Sequence, residues 1–111
     1  MERKIERERE LKAIMQRLEN CCIDSYRYYI TKTKDYVTIV EYGCALCWVQ
    51  LELNNMKRSQ NFLAECEEQF EIFFQNFKEY KDNVEKFTFI KDQLDCEINF
   101  ARALISLKEK N

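Results

Sequence analysis

Apolar residues along this chain recur every three or four positions, a period that fits helices and not strands. Four segments follow, at roughly 2–30, 36–54, 56–80 and 84–108. In the first, Leu11, Ile14, Leu18, Cys22 (or Cys21) and Tyr29 form the apolar stripe, and nearly everything before Leu11 is charged. Residues 1–10 therefore read as either a charged, solvated helical extension or a frayed end. Thr31 to Asp35 breaks the pattern, with Asp35 placed to cap the next helix.

The second segment is apolar around most of its circumference, through Ile39, Val40, Cys44, Leu46, Cys47, Val49, Leu51 and Leu53. Its polar strip is Thr38, Glu41, Ala45 and Glu52, with Trp48 at the edge. Such a helix belongs deep in a core. Val37-Thr38-Ile39-Val40 has strand character, but no partner strand exists elsewhere. Asn54-Asn55 is a stop, since asparagine tolerates the left-handed conformation of a helix end.

The third segment repeats most regularly, through Met56, Ser59, Leu63, Cys66, Phe70, Phe73, Phe77 and Tyr80. Alternating steps of three and four make a seam suited to near-antiparallel helix packing. The fourth carries two stripes. Val84, Phe87, Ile90, Leu94, Ile98, Ala101 and Ile105 form one. Phe89, Cys96, Phe100, Ala103 and Leu107 form the other, about 160° away on a 3.6-residue wheel. One stripe faces helices two and three; the other requires helix one or another subunit to cover it. Turns of about 2–8 residues join antiparallel neighbours. The expected fold is all-α, an antiparallel up-down four-helix bundle in one domain, 1–111.

The hairpin through Leu53-Asn54-Asn55-Met56 to Ser59, Phe62 and Cys66 resembles a tetratricopeptide unit over a fifth of the chain. No second copy appears at a 34-residue period, and the helices are too long. The likeness is read as a general helical-hairpin solution and not as membership of that family.

Composition reinforces the helical reading and narrows the chemistry. The 111 residues include no proline, one glycine (Gly43) and no histidine. Glycine-rich catalytic loops and histidine chemistry are excluded, and the expectation is a non-enzyme without a cofactor. Gly43 lies inside the most apolar helix, where it costs about 1 kcal/mol relative to alanine, which points to a close approach by another helix or a bound group. Net charge is −2, split as +2 over residues 1–58 (eleven basic, nine acidic) and −4 over 59–111 (seven basic, eleven acidic). This split argues against strong nucleic-acid binding and favours a basic protein partner for the second half. The charged N-terminus lacks an apolar signal core, and Tyr42–Val49 is too short to span a bilayer, so the expected location is cytoplasmic.

Six cysteines carry the remaining chemical options. Cys44 and Cys47 sit mid-helix, where burial raises a thiol pKa and opposes redox catalysis. With Cys66 and Cys96 they could meet at one bundle layer as a zinc or copper(I) thiolate site, although their spacing matches no zinc module with paired knuckles. The competing account is packing, since buried free cysteine behaves as a small hydrophobe. Glu65 and Glu68 belong to an acidic flank that is either a solvated face or a docking patch. The leading expectation is an adaptor, chaperone-like factor or small inhibitor that binds protein through an apolar, aromatic helix face. Its candidate contacts are Trp48, Phe89, Phe100, Leu107, Glu65 and Glu68, with a second copy of the chain among the candidate partners. The alternatives are the cysteine-thiolate metal bundle and a small nucleic-acid-binding regulator using the basic residues of the first helix.

Overall fold

A computed structural model of the chain describes residues 2–110. They form α1 (Glu2–Lys32), α2 (Tyr36–Glu52), α3 (Met56–Gln75) and α4 (Val84–Glu109), with a 3₁₀ turn at Phe77–Tyr80 between α3 and α4. No strand occurs among the described residues, and no helix among them is long and apolar enough to cross a membrane.

Side chains near the helix ends explain the boundaries. Asp35 caps α2: its Oδ1 accepts from the Thr38 backbone N–H at 3.2 Å and its Oδ2 from the Thr38 hydroxyl at 2.7 Å. Asn54 adopts φ 62°, the left-handed conformation that reverses the chain between α2 and α3. Asn83 caps α4 by accepting from the Lys86 N–H at 3.1 Å. The third helix is shorter than its apolar repeat predicts. It stops at Gln75, and Asn76 donates through Nδ2 to the Tyr36 hydroxyl at 2.8 Å. The tighter 3₁₀ turn then carries Phe77 and Tyr80 onto Phe87, with ring centroids 4.9 and 5.8 Å away.

The bundle is organised around α2 and α3. Ser59 donates to the Cys47 carbonyl at 2.7 Å, Cys66 Sγ lies 4.0 Å from the Val40 carbonyl, and Tyr36 packs on Phe73. Residue numbers thus rise along α3 as they fall along α2. Across α3 and α4, Phe73 stacks on Phe87 and Arg102 pairs with Glu67 at 3.0 Å, again in opposite directions. The inner stripe of α4 is buried at Phe87, Leu94, Ile98, Ala101 and Ile105, half-buried at Ile90, and exposed at Val84, which sits at the helix start beyond the core. The polar strip of α2 faces outward, with Glu41, Trp48 and Glu52 exposed.

α1 and α4 lie apart, with no Cα pair within 8 Å among the described residues. α1 covers α2 and reaches α3 through side chains: Tyr26 donates to Glu65 at 2.8 Å, and Arg58 pairs with Glu19 at 3.2 Å. Helix one therefore does not cover the second stripe of α4. α1 is also rotated relative to its predicted stripe. Leu11, Ile14 and Leu18 remain 59%, 49% and 38% exposed, while Met15, Glu19 and Tyr26 are buried; Cys22 and Tyr29, the C-terminal members of the predicted stripe, do pack half-buried against the core. The buried face is centred roughly 70° from the predicted one, less than the ~100° of one residue step. Tyr26 sets it by lying over Gly43 and packing edge-on against Phe62 at 5.8 Å.

Glu2 to Ile14 are all exposed. They extend α1 by about 20 Å at 1.5 Å per residue, giving an elongated body of 60 × 30 × 21 Å. The radius of gyration, 16.2 Å, exceeds the ~13 Å of a compact chain of this length.

Candidate functional site

Phe89, Phe100 and Leu107 stand 64%, 64% and 62% exposed on the outer side of α4. They are large apolar side chains on a well-formed helix whose opposite side is packed from Phe87 to Ile105. With Gln93, Cys96 and Ala103, all exposed, they occupy positions 89, 93, 96, 100, 103 and 107. Those steps of four, three, four, three and four are the repeat of a coiled-coil seam. The seam is about 27 Å long at 1.5 Å per residue.

Two of the six positions that flank the seam (90, 92, 97, 99, 104 and 106) are acidic, and the other four are Ile, Asn, Leu and Ser. Asp92 and Glu97 flank the seam on either side, and neither makes an ion pair among the described residues. Glu97 is part-buried beside α2. Burial first, and the nearby Glu41 carboxylate second, push its carboxyl above the ordinary value. Glu41 of α2 lies close enough to Glu97 to act on its charge, and Lys86, one step before Phe89, is an exposed cation at the N-terminal end of the strip.

The sequence-predicted contacts divide among several surfaces. Trp48, 42% exposed, belongs to neither α4 face. It lines a groove of about 590 Å³ with Ile5, Leu11 and Met15 of α1, rimmed by Arg9 and Glu52. Glu65 accepts the Tyr26 hydroxyl bond, which holds α1 to α3. Burial is the main reason, and this bond the next, that the Tyr26 hydroxyl is pushed far above its ordinary value. Glu68 borders a smaller hollow of about 230 Å³ with Glu71, Asp95 and Arg102. Gln93 completes the α4 seam although it is polar. Its place was visible in the four-three spacing alone.

The cysteines separate in the same way. Cys44, Cys47 and Cys66 are buried where α2 meets α3, whereas Cys96 lies exposed on the outer seam. Cys96 is two residues from both Leu94 and Ile98, so it points away from the core they fill. The four residues of the thiolate reading do not meet. Among the described residues no group of three or more His, Cys, Asp or Glu side chains is arranged to hold a metal ion.

Two of the interior thiols, Cys47 and Cys66, are held in the neutral form. Burial, with the adjoining Cys44 second, pushes the Cys47 thiol up to about 12. Contact with Cys44, then burial, pushes Cys66 up further. Cys44 Sγ donates to the Glu97 carbonyl at 3.5 Å. Gly43 explains why a thiol fits here. A methyl built at Gly43 would overlap Cys66 Sγ and come within 3.2 Å of Tyr26 Cε1. The close approach expected at this glycine is made by α1 and α3 together.

No protein-family model, curated protein or solved structure matches the chain.

Proposed function

We propose that this chain is a non-enzymatic helical protein-binding module, acting as an adaptor, a chaperone-like factor or a small inhibitor. Its docking element is the outer seam of α4. The observation that carries this reading is the exposure of Phe89, Phe100 and Leu107 in seam register on a helix already packed on its other side. At about 150–250 Å² for a large side chain, the three present roughly 300–475 Å² of apolar surface. That matches the largest patch on a typical monomer, which is often functional.

The partner contributes an apolar helix or ridge with basic flanks, answering Asp92, Glu97 and Glu41. A second copy of α4 fits poorly here. Antiparallel pairing about residue 98 sets Glu97 against Glu97, and parallel pairing sets Asp92 against Glu97. Six free thiols suit a reducing compartment such as the cytoplasm.

Affinity capture from cell lysate with tagged wild type, Phe100→Glu and the exposed control Lys81→Glu tests the reading. Partners identified by mass spectrometry are retained by wild type and Lys81→Glu and lost by Phe100→Glu. Far-UV circular dichroism of Phe100→Glu stays helical, because the position is open to solvent. A Phe100→Glu protein that unfolds, or that captures the same partners, overturns it.

A further inference from the structure

A second outer seam lies on α1, at Leu11, Ile14, Leu18, Cys21, Ser25 and Tyr28, with steps of three, four, three, four and three. None of these six is buried, and Tyr28 is 59% exposed. The seam starts on the overhanging first half of α1, where Leu11 borders the open groove beside Trp48 and every residue from Glu2 to Ile14 is exposed. Isolated helices of about 12–15 residues are marginal in water, so this segment gains most from a partner.

The residues preceding the seam positions Leu11, Leu18 and Ser25 are Glu10, Arg17 and Asp24, which alternate in sign. Arg17 and Asp24 make no ion pair among the described residues.

We infer that α1 pairs with α1 of a second copy, antiparallel about a two-fold axis between Glu19 and Asn20. That register stacks Leu11 on Tyr28 of the second copy, Ile14 on its Ser25, and Leu18 on its Cys21. It also sets Arg17 beside Asp24 of the second copy, twice by symmetry. A parallel pairing brings neither of those residues to an opposite charge; Arg17 then faces Cys22 and Asp24 faces Tyr29. The antiparallel arrangement lays each overhang along the half of the other copy's α1 that is supported by its own α2. Leu11, Ile14, Leu18 and Tyr28 expose roughly 350–400 Å² per copy, at about 150–250 Å² per full side chain. Two copies contribute roughly 700–800 Å² of apolar surface, the scale of a weak, reversible interface below ~1,200 Å². This dimer leaves the α4 seam free, on an element that α1 does not touch.

Sedimentation equilibrium of the purified full chain at about 100 μM and low salt tests the pairing. Wild type has a native mass of twice 13.6 kDa. Leu18→Glu is monomeric and still helical. Arg17→Asp and Asp24→Arg each weaken self-association by about 10- to 30-fold, since each turns two attractive surface pairs into repulsive ones. Mixing the two single variants restores the dimer, because one copy then carries two acids and the other two bases. Arg17→Asp combined with Asp24→Arg in one chain restores it as well. A monomeric wild type overturns the inference. So does a dimer that Leu18→Glu leaves intact, or one that Phe100→Glu abolishes while Leu18→Glu does not, because association then runs through another surface. A dimer equally stable in both single charge variants overturns the antiparallel register.

Discussion

Gly43→Ala places a methyl into the contact between α1, α2 and α3, where neither neighbour has room to move. Cys66 is fully buried and Tyr26 is 3% exposed, and Tyr26 is tethered to Glu65. Overpacking of a well-filled core costs about 1–3 kcal/mol. The overlap with Cys66 puts this site in the upper part of that range, about 2–3 kcal/mol. Alanine returns about 1 kcal/mol of helix propensity, leaving a net loss of about 1–2 kcal/mol. At about 4–8 °C per kcal/mol for a domain near this size, the melting temperature falls by roughly 5–15 °C.

Cys66→Ala supplies the control. It removes the sulfur that the methyl strikes, and deleting one buried group of that size costs about 1 kcal/mol. If the overlap is the cause, Gly43→Ala in the Cys66→Ala background is nearly free or stabilising. The double-mutant cycle then shows a coupling of about 1–3 kcal/mol. Urea unfolding of the four proteins, followed by far-UV circular dichroism, measures each corner. Additivity to within about 0.3–0.5 kcal/mol would refute the proposed packing of α3 against Gly43.

The thiols should differ in reactivity: in the native protein a maleimide modifies Cys21 and Cys96 rapidly, while Cys44, Cys47 and Cys66 wait for unfolding, as peptide mapping over time shows. Cys47 and Cys66 both titrate above their ordinary value of 9.0 in the folded state. The stability they contribute is complete below pH 9 and is lost as pH rises from 9 towards 12, at up to about 1.4 kcal/mol per pH unit per thiol. Urea midpoints that stay flat over pH 8–10.5 would contradict this. Glu19 is buried, with Arg58 at 3.2 Å and the Gln16 amide at 3.2 Å. Arg58→Ala leaves that carboxylate under-satisfied and costs about 1–3 kcal/mol, whereas Glu19→Leu with Arg58→Ala recovers most of the loss; a double variant no better than Arg58→Ala would show that the pair is not what holds α1 to α3.

Much of the architecture is local and was legible in the residue pattern. Period, absence of proline, the Asp35 cap and the Asn54 turn define four helices without reference to one another, because each depends on backbone geometry within a few residues. The polar strip of α2 and both seams of α4 follow from the same spacing. Three features depended on distant partners. The break at Gln75 rests on the Asn76–Tyr36 bond between α3 and the start of α2. The separation of Cys96 from the other three cysteines was in its wheel position, but the meeting of Cys44, Cys47 and Cys66 required the α2–α3 packing.

The rotation of α1 is the clearest case. Its sequence carries two adjacent faces, Leu11/Ile14/Leu18 and Met15/Glu19/Tyr26, and the more apolar one looked like the core. Tertiary contact chose the other, because Tyr26 alone has both a flat site over Gly43 and a carboxylate, Glu65, for its hydroxyl. Periodicity determined that this protein is a set of amphipathic helices with more apolar face than one core can cover. Only the packing about Gly43 decided which face of α1 closes inward and which stays exposed.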